Sequence, residues 1–241
     1  MHTLTDRVAV ITGASSGIGR AIALALADKG AQVCIVGRNQ ETLRAVARCA
    51  GKSFENFHMF KSDLDKDDDI KNLVTNLQNE FSGIDILIHS AGIISFGRTD
   101  HASIEDFDRQ YRINVRAPYL LIQAFLPALR KRSGQIVFIN SSAGLTAKAG
   151  LGQYAATKYA LKAVADSLRE EVNEEGIRIV SIYPGRTASP MQAAIHAMEN
   201  KVYQPGHLMQ PEDVASFVIH ALNLPRTAEV TDVSIRPMRK T

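Results

Sequence analysis

Tyr154 and Lys158 stand four residues apart in the run Tyr-Ala-Ala-Thr-Lys, and Ser141 lies thirteen residues upstream. On a helix, positions i and i+4 share a face, which sets the Lys158 ammonium beside the Tyr154 phenol. A free phenol titrates at about 10, and a neighbouring positive charge favours the phenolate. A tyrosine held in this way can serve as a general acid or base near neutral pH. A second constellation, Thr12-Gly13-Ala14-Ser15-Ser16-Gly17-Ile18-Gly19, follows an apolar run and opens a segment of helical period. Glycines there permit a tight turn and close backbone approach to a pyrophosphate, while a helix N-terminus offers N–H groups and partial positive charge. Together the two constellations point to dinucleotide binding with a proton transfer beside it.

The end of the second apolar run bears on which dinucleotide is bound. An acidic residue there would hydrogen-bond the ribose hydroxyls of NAD and repel a 2′-phosphate. Here the run ends in Gly37-Arg38-Asn39, so the acid is missing and Arg38 offers a fork suited to phosphate. NADP(H) is the expected cofactor, with Ser15 and Ser16 as further hydrogen-bond donors.

The elements that must position these residues follow from the hydrophobic pattern. Short β-branched runs at 8–11, 33–36, 84–88, 136–139, 177–182 and 230–235 alternate with longer stretches of helical period at 17–29, 40–50, 66–81, 104–131, 153–175 and 211–222. Runs apolar on both faces suit a parallel sheet covered by helices on each side. The reading is α/β, a three-layer doubly wound parallel sheet (Rossmann fold) of about seven strands, in one domain over 1–241. Segment 185–210 breaks the alternation with Pro190, Pro205 and Gly206, and reads as a substrate-binding lid within that domain.

Composition narrows the function classes. Hydrophobic residues make up 45% of the 241 and the net charge is only +3, which fits a globular protein and argues against a nucleic-acid binder. The cluster Arg130-Lys131-Arg132 precedes Ser133-Gly134 and reads as a helix C-terminus, where cations complement the dipole. Arg236, Arg239 and Lys240 belong to a chain terminus. Asp65 to Asp69 read as a helix start and not as a metal site; no metal is expected. Only Cys34 and Cys49 are present, and neither a signal pattern in Met1 to Asp6 nor a spanning apolar run is found, so a cytoplasmic protein with no membrane span is expected.

With these residues in hand, the chain resembles the short-chain dehydrogenase/reductase family of the compact kind, over nearly its whole length. The motifs fall in order: Thr12 to Gly19, Asp63-Leu64, Ala91-Gly92, Asn114, Ser141, Tyr154 with Lys158, and Pro184-Gly185. The resemblance implies that Asp63 and Leu64 flank the adenine and that Ala91 and Gly92 pass beside the cofactor ribose. It also implies that Pro184-Gly185 with Thr187 and Ser189 hold the nicotinamide carboxamide. Tyr154 would be the acid/base, Ser141 would position the carbonyl oxygen, Lys158 would bind the nicotinamide ribose and lower the Tyr154 pKa, and Asn114 would hold a water linking Lys158 to solvent. Pro118, four residues after Asn114, has no N–H for the Asn114 carbonyl. A kink that frees this carbonyl for water and a kink that merely aids packing both account for it.

Departures from the family pattern are His89-Ser90 in place of Asn-Asn, Arg186-Thr187-Ala188-Ser189 after Pro184-Gly185, and the missing Asp-Gly-Gly ending. His89 reads as a satisfied buried histidine, because Tyr154 already fills the acid/base position. Ile94, Phe96, Ala143, Leu145, Leu151, Met191 and Ile195 fall on segments that should surround the nicotinamide and imply an apolar pocket. The expected activity is an NADP(H)-dependent oxidoreductase acting on a small-molecule carbonyl or secondary alcohol. The alternative is a catalytically silent NADP(H)-binding sensor, which has no use for an acid/base pair. By analogy with relatives that pair their long helices, a homodimer or homotetramer is expected.

Overall fold

Seven strands form one all-parallel sheet in the computed structural model, which describes residues 4–239. They are β1 (Val8–Thr12), β2 (Gln32–Gly37), β3 (Phe57–Lys61), β4 (Ile86–His89), β5 (Gln135–Ile139), β6 (Arg178–Pro184) and β7 (Asp232–Ile235), in the order β3-β2-β1-β4-β5-β6-β7. Strand direction of travel reverses at β1, which pairs with β2 on one side and β4 on the other. This is the Rossmann-type doubly wound arrangement, and its switch point lies between β1 and β4. Met1–Thr3 and Lys240–Thr241 lie outside the described residues, so the readings of the N-terminal start and of Lys240 fall there.

Period-two alternation divides the strand side chains between two cores. Ala9 and Ile11 of β1 face a cluster built from α1 (Gly17–Asp28), α2 (Gln40–Arg48) and α8 (Pro211–Leu222). Val8 and Val10 face the opposite cluster, from α3 (Asp67–Glu80), α5 (Ala117–Arg132) and α6 (Gly152–Val172). Both faces are covered, which is why β1 and β5 are buried throughout. No helix among the described residues is long and apolar enough to cross a membrane.

Three elements differ from the sequence expectation. The segment 104–131 is not one helix: α4 (Ile104–Tyr111) passes into a π turn at Arg112–Arg116 before α5 begins. The region 185–210 contains a helix, α7 (Pro190–Met198), whose N-cap Ser189 accepts from the Gln192 N–H at 3.1 Å, with Pro190 at the first helical position. β3 was absent from the β-branched runs because Phe57-His58-Met59-Phe60-Lys61 is an edge strand, only half-buried. The basic triplet does close α5, where Arg130 pairs with Glu175 and Ser133 takes a left-handed conformation at φ 46°.

Candidate functional site

At the carboxyl ends of the strands, over the switch point, lies a cavity of about 890 Å³. Its floor is the glycine motif, and there the backbone geometry requires glycine. Gly13 adopts φ 67°, and a Cβ on it would come within 2.6 Å of the Ala91 Cα; a Cβ on Gly19 would meet the Gly13 carbonyl oxygen at 2.5 Å. Two of the glycines therefore let the β1–α1 turn pack onto the β4 loop and onto itself. Ser16 caps α1 without a side-chain hydrogen bond, which leaves its hydroxyl free. Ser15, Gly17, Ile18, Arg38, Asp63, Leu64, Ala91 and Gly92 all line this end of the cavity, and Arg38 is exposed at it.

α6 sets Tyr154 and Lys158 one turn apart at the other end, with the Lys158 Nζ 5.8 Å from the Tyr154 ring centroid. Both are buried, at 8% and 3% exposure. Burial pushes the Lys158 ammonium down to about 8, and its one acceptor among the described residues is the Ile139 carbonyl at 3.3 Å. Burial also raises the Tyr154 phenol above its usual value, partly offset by the Ser141 side chain, which favours the phenolate. The lowering expected from Lys158 does not show in the free protein: the opposing contribution comes from Ser141, and desolvation outweighs it. Ser141 follows β5 and caps a short turn, its Oγ accepting from the Ala143 N–H at 3.1 Å. That bond occupies a lone pair and leaves the Ser141 O–H as a donor.

Asn114 is fully buried in the π turn. Its Oδ1 accepts from the Ile93 N–H at 2.9 Å, while its Nδ2 donates to the Ile93 carbonyl at 2.9 Å and to the Thr157 Oγ1 at 3.0 Å. The side-chain amide is therefore committed to protein partners, and a water held by this residue would have to use its backbone carbonyl. Thr157 in turn donates to the Tyr154 carbonyl at 2.8 Å, which connects the π turn to the helix bearing the tyrosine.

Pro184 ends β6 and Gly185 follows it, its N–H donating to the Ile235 carbonyl at 2.7 Å. Thr187 and Ser189 line the cavity, but the Ser189 hydroxyl caps α7 and the Thr187 hydroxyl donates to the Gly185 carbonyl at 3.1 Å. Ile94, Phe96, Ala143, Leu145, Leu151, Met191 and Ile195 line the tyrosine end, as read from sequence. Polar groups that went unnoticed also sit there: Lys148, Gln192 and Glu199.

Other missed residues act as ties. Thr12 Oγ1 accepts from the Ser90 and Ala91 N–H groups, both at 3.2 Å, which joins β4 to the glycine loop where His89-Ser90 replaces the usual amides. Asn140 donates to the Lys158 carbonyl at 3.1 Å. His89 is buried as expected but not satisfied: neither ring nitrogen has a partner among the described residues, and burial pushes its pKa down to about 3. It stacks on Phe138 with ring centroids 5.1 Å apart.

Comparison with known proteins agrees with this geometry. The family described as short chain dehydrogenase matches residues 7–200. An uncharacterized oxidoreductase of Staphylococcus aureus (strain USA300) is 32% identical over 239 residues, covering 99% of this chain and all of that one. Among solved structures, a metagenomic short-chain oxidoreductase in complex with NADP superposes with a TM-score of 0.85 at 30% identity, covering 99% and 100% of the two chains. An alcohol dehydrogenase from the archaeon Thermococcus sibiricus, complexed with 5-hydroxy-NADP, gives 0.88 at 25% identity over 98% of each. The chain belongs to the short-chain dehydrogenase family and is an oxidoreductase.

Proposed function

We propose that the protein reduces a carbonyl compound with NADPH, or oxidises the corresponding secondary alcohol with NADP⁺, and that Tyr154 is its acid/base. The observation that carries this reading is the buried Tyr154–Lys158 pair with Ser141 beside it, at one end of a cavity whose other end is the glycine motif. The residues fit the cofactor: the glycine turn offers α1's N-terminus to a pyrophosphate, and exposed Arg38, with no acid beside it on β2, suits a 2′-phosphate. Asp63, Leu64, Ala91 and Gly92 would hold its adenosine half, and Lys158, Pro184, Gly185, Thr187 and Ser189 its nicotinamide half. When bound, NADPH supplies the hydride.

The side chains supply the remainder. Tyr154 gives its proton to the carbonyl oxygen as negative charge develops there. Ser141, with its O–H free to donate, holds that oxygen in place. Lys158, cationic below about pH 8, stabilises the phenolate left behind. Asn114 is a positioning residue through Ile93 and Thr157, and its backbone carbonyl, denied an N–H by Pro118, is the site for a proton-relaying water. Segment 185–210 acts as a lid through α7. Pairing through α4, α5 and α6 into a homodimer or homotetramer is part of the proposal, supported by exposed Tyr111, Tyr119 and Tyr159 on those helices. A cytoplasmic location is supported by the unpaired thiols of Cys34 and Cys49.

The test is loss of reduced-nicotinamide absorbance with NADPH and with NADH against ketones, aldehydes and quinones. The expected result is turnover favouring NADPH, with Tyr154→Phe slower by about 10²- to 10⁴-fold while NADPH still binds. NADPH binding without turnover of any carbonyl would replace this reading with that of a sensor.

A further inference from the structure

The cavity wall contributed by the lid carries an uncompensated cation. Arg186 directly follows Gly185 and lines the cavity, and its Nη2 donates to both oxygens of Glu199 at 2.7 and 2.8 Å. Lys201 closes on the same carboxylate at 2.9 Å. Two cations around one carboxylate leave a single positive charge unmatched. The other guanidinium nitrogen, Arg186 Nη1, is buried and has no acceptor among the described residues. A charge-bearing donor left dry is a cost that the fold recovers when an acceptor arrives.

The surrounding charges favour the same sign of ligand. Lys148, exposed in the loop between Ser141 and α6, and Arg236, against Gly185, line the same cavity, and neither has an acidic partner among the described residues. Glu199 is the carboxylate that pairs with Arg186 among the described residues, and it is already shared by two cations. The apolar wall of Ile94, Phe96, Leu151 and Met191 completes a pocket with a cationic end.

Resting on the reductase reading, we infer that Arg186 is a specificity-determining residue that binds the carboxylate of an oxo acid, or of the matching hydroxy acid, whose carbon chain lies on the apolar wall. At Arg186 itself a carboxylate fits better than a phosphate, because Nη1 is the guanidinium nitrogen left without an acceptor among the described residues and the adjoining Glu199 carboxylate would repel a dianion. The Arg186–Glu199 pair ties the first residues of the lid segment to the C-terminal end of α7.

The experiment compares 5-oxohexanoate and 4-oxo-4-phenylbutanoate with their methyl esters as substrates for NADPH oxidation, using the parent, Arg186→Met and Arg186→Lys. Calorimetric binding of the same acids to the NADP⁺-loaded protein is measured alongside. The expected results are a kcat/KM for the better acid about tenfold or more above its ester, shrinking with added salt, and loss of that advantage in Arg186→Met. Arg186→Lys should restore part of it, and NADPH affinity should be the same in all three proteins. Equal or better use of the esters by the parent overturns the inference while leaving the reductase standing. So does a fall in NADPH affinity in Arg186→Met that matches the fall in kcat/KM, since the guanidinium then serves the cofactor. If acids and esters alike are not turned over, the reductase reading is decided by the wider carbonyl panel, and the inference stands only if the acids bind to the parent and not to Arg186→Met.

Discussion

Lys158 is a buried ammonium whose nearest protein acceptor is a carbonyl, and burial has pushed its pKa from 10.5 to about 8. The unfolded chain binds the Lys158 proton more tightly than the folded one, so the stability of the free protein rises with pH between about 8 and 10.5. At pH 7 the buried charge is a cost that Lys158→Met would remove. At roughly 1.4 kcal/mol per tenfold change in proton affinity, the gain has a ceiling of about 3 kcal/mol. Urea unfolding at pH 7 should show a higher midpoint for Lys158→Met, with the pH-dependent rise of the parent gone. An unchanged or lower midpoint would mean that the ammonium is compensated by water. The kcat/KM of the parent for NADPH should decline above about pH 8, as the free protein loses the Lys158 charge.

Residue types and close spacings were the most legible part of the site. Tyr154 and Lys158 share a face because a helix turn brings them together, a relation contained in five residues. His89 was legible as buried but not as unsatisfied, since what surrounds a strand residue depends on the helices packed across the sheet. Ser189 reads in sequence as a hydroxyl near the nicotinamide, yet Ser-Pro is also the signature of a helix start, and in the fold its Oγ caps α7.

At the scale of elements, the irregularity between α4 and α5 is what positions Asn114. Hydrophobic periodicity reads continuously from 104 to 131, so the π turn at Arg112–Arg116 leaves little trace in the pattern apart from Pro118. A π turn carries one residue more than an α turn, and here it points Asn114 at Ile93 and Thr157. Pro118→Ala returns an N–H donor to the Asn114 carbonyl, favours a regular α turn and removes the place for a relaying water. The expected outcome is a kcat about tenfold lower with NADPH affinity unchanged, because misplacement of the relay affects proton movement and not cofactor binding. A kcat equal to that of the parent would leave Pro118 a packing kink.

For the whole molecule, the two-sided core explains why the sheet is parallel and why the site sits where it does. Alternating strands and helices leave a crevice at the carboxyl edge where the winding reverses, and the glycine turn, the β4 loop, Ser141 and the β6 end all meet there. The outer faces of α4, α5 and α6 carry Tyr111, Tyr119 and Tyr159, each close to half exposed. Aromatic side chains of this kind supply contact area at protein interfaces, so light scattering coupled to size exclusion should give a mass two or four times that of the chain. Tyr119→Glu should shift it downward; a monomeric mass for the parent would remove the oligomer from the proposal.

What the sequence by itself determined is the alternation of strands and helices apart from β3, α7 and the π turn, the glycine turn, the Tyr154–Lys158 face and the absence of an acid after β2, all relations among residues close in the chain. Such relations depend on backbone geometry and side-chain period, which a short stretch contains in full. The tertiary structure alone decided that Thr12 ties β4 to the glycine loop, that Asn114 reaches Ile93 and Thr157, that desolvation outweighs the Ser141 hydrogen bond at the Tyr154 phenol, and that Arg186 is held by Glu199 with one nitrogen unmatched among the described residues. These are matters of which polar atoms are left dry and which find partners once distant segments pack, and no periodicity in the chain encodes them.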